Sequence, residues 1–304
     1  MTGLKKEIYW KLEAPFLWDY LGFGTDLRDY NALQIAEAAS HQNYMGRKLA
    51  FISVFAQMMA GFEDTAALLL ALKRRFSPDP ECPYQKEFGV GETPLFYTMV
   101  TYRDWRLDKV LVSVSPDKAY QDFHFDKLVP VGLSKSGFLQ SEVVRPGLLN
   151  MAKFLCEDCR TNQTKNNRPE AYNKIKHGAI VLSEGRNLFP EHPSGPAIIM
   201  EGPKGDATYP LQLLTFPYSE KEIESMKRII WLSKVARKVL LALYLWVGYE
   251  QFVRSKGVSH PGLLFDADMR KIIEHEDPVL GKGAGLIEVS ETFGEALRPR
   301  GDGS

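Results

Sequence analysis

Apolar residues recur at spacings of three and four over much of the chain, the periodicity of helices with one buried face. In "LRDYNALQIAEAAS" this spacing places Leu27, Tyr30, Leu33 and Ala38 near one face. In "MGRKLAFISVFAQMMAGFEDTAALLLALKRRF" the residues Leu49, Ile52, Phe55, Met59, Phe62, Ala66, Leu69 and Leu72 form the core stripe of a long helix. Its last turn carries Lys73, Arg74 and Arg75, where cations suit the negative end of the helix dipole. "SPDPECPYQKEFGVGETP" reads as a loop from its Pro and Gly content. "LFYTMVTYRDWRLDKVLVSV" permits strand or helix, and the chain from Pro116 to Pro146 looks irregular. "GLLNMAKFLCEDCRTNQ" is a further helix.

After Gly178 the period changes. "AIVLSE", "PAIIMEG" and "TYPLQLLTF" are short apolar runs between turn-rich stretches, the pattern of a small antiparallel sheet or paired hairpins over about 178–217. "SEKEIESMKRIIWLSKVARKVLLALYLWVGYEQFV" then predicts another long helix, opened by a capping box of Ser219 and Glu222. These elements predict a mainly α fold: a bundle of long antiparallel helices with a small antiparallel β insertion. Residues 1–280 read as one helical-bundle domain, and the Gly-rich stretch 281–304 as a flexible tail.

Composition narrows the classes of function. Lys plus Arg and Asp plus Glu both number 38, so no global charge bias favours nucleic acid or an anionic membrane. The most apolar run, Val239 to Tyr249, is too short for a membrane span. Nothing near Met1 has the form of a signal peptide. The expectation is a soluble cytoplasmic protein with no membrane partner.

Candidate chemistry is sparse. In "NNRPEAYNKIKHG" the polar residues Glu170, Asn173, Lys174 and His177 share a helical face. The same stretch reads as a well-terminated helix. Asn167 with Glu170 can close a capping box, Pro169 suits the first turn, Lys174, Lys176 and His177 offset the dipole, and Gly178 suits the left-handed position after the last turn. Tyr172, Ile175 and Ala179 are then expected to pack inward. Asn173, Lys174 and His177 remain candidate site residues, with His177 able to titrate near neutral pH.

Cys156 and Cys159 form a CxxC late in a helical pattern. Zinc would need two more ligands at a matching spacing, so the pair is expected to pack as small hydrophobes, with no metal. Glu63 and Asp64 interrupt an apolar helix, but no Glu-x-x-His motif accompanies them, which removes the di-iron bundle class. GxSxG, GxGxxG and GxxxxGK[ST] are all absent, so neither a nucleophile elbow nor a common phosphate loop is present, and no cofactor is implied.

A helical bundle containing "YNKIKHG", followed by a hairpin and another long helix, resembles proteins of the HEPN type over about residues 27–275. That resemblance implies a helical domain of toxin and defence systems, in many cases a metal-independent ribonuclease using an Arg and a His a short spacer apart, across a dimer interface. Three pairs here have such a spacing: Arg186 with His192, Arg254 with His260, and Arg270 with His275. "RKIIEH", with Arg270 and His275, has the most helical pattern. In such an enzyme the His would move a proton to or from RNA and the Arg would stabilise charge on the phosphate.

Three readings therefore stand at this level. The first is an interaction or accessory protein with no catalytic centre evident in its sequence, forming a homodimer through its long helices. The second is a HEPN-like ribonuclease acting on RNA. The third is a small-molecule-binding bundle using the aromatic segments "IYWKLEAPFLWDY" and "TYRDWRLDKV".

Overall fold

The structure is a computed structural model and describes residues 3–80, 82, 85–101, 107–111, 115–128, 141–164, 168–178, 181–182, 195–201, 211–216, 219–248, 266–273 and 290–293. Helices dominate. α1 (Gly3–Gly22) leads through a short 3-10 turn into α2 (Leu27–Ser40), and α3 (Tyr44–Phe76) follows after a three-residue turn at 41–43. Asn43 starts α3, its side chain accepting from the Gly46 amide at 3.0 Å. So short a connection returns α3 antiparallel to α2.

α3 is the central helix. Ile52, Phe55, Met59, Phe62, Ala66, Leu69 and Leu72 are all buried, as the stripe predicts, but so are Phe51, Val54, Met58 and Leu68 on its other sides. Leu49 departs from the stripe and is exposed. By length and composition α3 could cross a membrane, but 72% of its apolar window is buried within this fold.

The C-terminus of α3 is closed by the following loop. Gln85, in the short α4 (Gln85–Phe88), donates through Nε2 to the carbonyls of Arg74 (2.5 Å) and Ser77 (2.6 Å), and its Oε1 accepts from the Asp79 amide at 2.7 Å. The aromatic stretch that was ambiguous in sequence contains α5 (Leu95–Thr101) and α6 (Leu107–Val110). α7 (Pro116–Asp122) and a second 3-10 turn lie within the span expected to be irregular. α8 (Ser141–Lys153) begins before Pro146 rather than after it, and continues through a π segment (Phe154–Cys159) into α9 (Arg160–Thr164). Pro146 is close enough to the helix start that only one backbone bond is forfeited.

α10 (Arg168–Lys176) is followed by β1 (Val181–Leu182), β2 (Ala197–Glu201) and β3 (Leu211–Thr215), all antiparallel. The segment expected to be a flexible tail supplies β4 (Ser290–Phe293), which pairs with β3 through Gln212 opposite Phe293. Phe216, just after β3, docks the sheet on α3, its ring centroid 4.9 Å from that of Phe55.

α11 (Glu220–Gly248) begins as the capping box predicts, with the Glu222 amide on Ser219 Oγ at 3.2 Å. Its expected extension to Val253 lies outside the described residues. The charges within it tie it to neighbours: Lys234 reaches Asp29 at 2.5 Å, and Lys238 reaches Asp26 at 3.0 Å. α12 (Ala267–Ile273) packs against α8 and α11. One apolar cluster runs from Leu17 to Met269 and includes residues of α1, α3, α8, α11 and α12.

Candidate functional site

α10 is built from "RPEAYNKIK", with Ala171 and Tyr172 buried and Ile175 packed beside them. Its C-terminus is closed by Gly178 in the left-handed region (φ 90°), as the sequence predicts. That orientation puts Glu170, Asn173, Lys174 and His177 on the exposed side. They line no groove among the described residues, and the polar stripe is a solvated face. Asn167 and Ala179 lie outside the described residues.

The opposite side of α10 carries the chemistry. Lys176 places Nζ 3.1 Å from both carboxylate oxygens of Glu63, and the Tyr172 hydroxyl donates to Glu63 Oε2 at 3.3 Å. Next to them Arg28, in the first turn of α2, pairs with Asp64 at 3.0 Å. Beneath this cluster lies Arg237 of α11, fully buried, donating to Gly61 O (2.8 Å), Thr65 Oγ1 (3.0 Å) and Thr25 O (3.4 Å). Gly61 permits this approach, because a Cβ there would stand 3.7 Å from the Arg237 Nη1 and 3.5 Å from Ser233 Oγ.

The electrostatics follow from burial. Burial raises the Glu63 carboxyl above its ordinary value even though Lys176 and Tyr172 pull it down. The Tyr172 phenol is likewise raised, first by burial and then by the Glu63 charge beside it. Burial works against the Arg28 charge, but Asp64 outweighs it and lifts its pKa. Each carboxylate here has its own cation, so the cluster is an ion-paired joint between α2, α3 and α10.

Cys156 and Cys159 lie in the π segment with both side chains buried. Burial pushes the Cys156 thiol up to about 11 and Cys159 well above the ordinary range. Neither is a thiolate near neutral pH, which is the environment of packed rather than reactive cysteines. Arg270 lies on α12, whose start is capped by Asp266 accepting from the Met269 amide at 2.8 Å. His275 lies outside the described residues, as do Arg186, His192, Arg254 and His260.

A second feature lies on the far side of α2. A groove of about 540 Å³ runs between the second half of α2 and the start of α11. Leu33, Ala36, Ala39 and Ile223 supply its apolar surface. Its rims carry both signs of charge, with Glu37, Glu220 and Glu224 against Arg47 and Lys227, and Arg47 stands 3.6 Å from Glu220. It is an open groove with charged walls, not an enclosed apolar pocket beside the aromatic segments.

α2 itself reverses the expectation drawn from its sequence. Asp29, Ala32 and Ala39 are buried, with Ile35 and Ala36 packed beside them, whereas Leu27, Tyr30 and Leu33 face solvent at 45%, 61% and 45% exposure. Small residues on the inner side let α2 lie close against α3, and the bulky side chains are left outside. Nine of the eleven large apolar residues exposed among the described residues fall between Leu12 and Leu49, so the unburied apolar surface belongs to α1, α2 and the start of α3.

Comparison of the chain with protein-family models, with curated proteins and with solved structures gives no match.

Proposed function

We propose that the protein is an interaction protein that self-associates through the outward face of α2 and the groove beside it. The observation that carries this reading is the concentration of exposed Leu27, Tyr30 and Leu33 on one helix face, next to a groove of matching apolar character. Exposed apolar residues scattered singly need no explanation, but a cluster rimmed by charge is the usual mark of a docking surface. The partner that fits is a second copy of this chain. A two-fold interface must be complementary to itself, and this groove carries acidic Glu37, Glu220 and Glu224 together with basic Arg47 and Lys227. One copy's cations can then face the other's carboxylates while Tyr30 and Leu33 enter the opposite groove.

Cross-linking tests the geometry. All three native cysteines are buried, so a cysteine placed at exposed Glu37 is the accessible one. A short bismaleimide is expected to link Glu37→Cys chains into covalent dimers, and to leave Lys118→Cys chains, labelled on α7, as monomers. Absence of the Glu37 product, or equal yields from both positions, would contradict the reading.

A further inference from the structure

Arg168 is the first residue of α10 and is completely buried. Its Nη1 donates to the backbone oxygen of Asn162 at 2.8 Å and to its Oδ1 at 2.7 Å. Asn162 is itself buried and held by a bond from its Nδ2 to Asp158 O at 3.0 Å, so this end of the guanidinium is fixed. The other two nitrogens, Nε and Nη2, have no partner. These two are not an arbitrary pair. Their N–H bonds run parallel along one edge of the guanidinium, the fork that takes two oxygens of a carboxylate or phosphate at once.

No carboxylate forms a salt bridge with Arg168 among the described residues, and burial alone lowers its pKa, to about 10, which leaves it charged at neutral pH. A buried charge of this kind is costly unless paired. Arg237 provides the internal contrast: both of its Nη groups are bonded and only Nε is left, so it offers no fork. The start of α10 adds the positive end of a helix dipole to the Arg168 charge.

We infer that the free edge of Arg168, fixed against Asn162 at the start of α10, is a binding site for a small two-oxygen anion, a phosphate or a carboxylate. The site is independent of the α2 surface and stands or falls apart from it. Asn162 sets the orientation of the fork, and Arg168 supplies the charge and both donors.

Thermal unfolding in inorganic phosphate, and in parallel in acetate, each at ionic strength held constant with chloride, tests this. Binding to the folded state alone raises Tm with ligand concentration, here by an expected ~5 °C on going to a hundredfold excess over Kd. A rise with phosphate only identifies a phosphate site, and a rise with acetate as well identifies a carboxylate site. Arg168→Met keeps the apolar stem and removes the fork, so its Tm is expected not to respond to either ion. Asn162→Asp places a carboxylate beside the guanidinium and is expected to suppress the response by competition, in a chain that retains Arg168. No rise in the wild type, or the same rise in either variant, would overturn the inference.

Discussion

Glu63 shows how a single side chain holds distant parts of the chain together. Its partner Lys176 is 113 residues away, and Arg28 reaches the neighbouring Asp64 across 36 residues. The anomaly was legible in sequence as two acids inside an apolar helix, but the partners were not, because helical spacing carries no information about contacts so far apart. Tyr172 and Lys176, four apart on α10, lie on the side facing α3, whereas the stripe that drew attention, from Glu170 to His177, lies on the wet side. Burial sets the Glu63 carboxyl above its ordinary value of 4.5, so folding favours its neutral form. That contribution is present below the ordinary value and is lost as pH rises through the folded one. Glu63→Gln cannot titrate. Its stability relative to wild type is therefore expected to increase as pH is raised from about 4 toward 7, read from urea unfolding at each pH. A relative gain by the wild type over that range would contradict the assignment.

At the scale of elements, α3 was legible because a helix buried on nearly every side satisfies any apolar stripe drawn along it. α2 was not, because it carries two stripes. One is bulky (Leu27, Tyr30, Leu33) and one is small (Ala32, Ala36, Ala39), and the rule that large apolar residues go inward selects the wrong one. Close approach to α3 favours the small stripe. The capping signals at Ser219 and Gly178 were read correctly, since each is a local chemical requirement of a helix end. The closure of α3 by Gln85 had no such signal, as it depends on a loop folding back over the last turn. Three hydrogen bonds from one side chain make this closure a substantial stabilising contact. Gln85→Ala is expected to destabilise the protein by about 2 kcal/mol, seen as a lower urea midpoint with an unchanged m-value. A loss below about 0.5 kcal/mol would mean that the α3 terminus is held by other contacts.

For the whole molecule, the mainly helical fold with a small antiparallel sheet follows from periodicity alone: a period of 3.6 along most of the chain, then a period of 2 after Gly178. The two long helices expected to form the bundle do so, with α3 between α2, α11 and the sheet. The surface left over explains the proposed activity. The core takes up the apolar residues of α3 and α11, while α1, α2 and the first turns of α3 retain theirs outside. A face of this kind costs solubility unless something covers it, and its mixed rim charges suit a copy of itself.

Sedimentation of the wild type over a series of concentrations, beside Leu33→Asp, tests that claim most directly. Leu33 is exposed in the monomer, so an aspartate there does not disturb the core. The expected result is a wild-type species of twice the mass of one chain, and a folded Leu33→Asp variant sedimenting as the monomer. A wild type that stays monomeric at every concentration, or a dimer that Leu33→Asp leaves intact, would contradict the account.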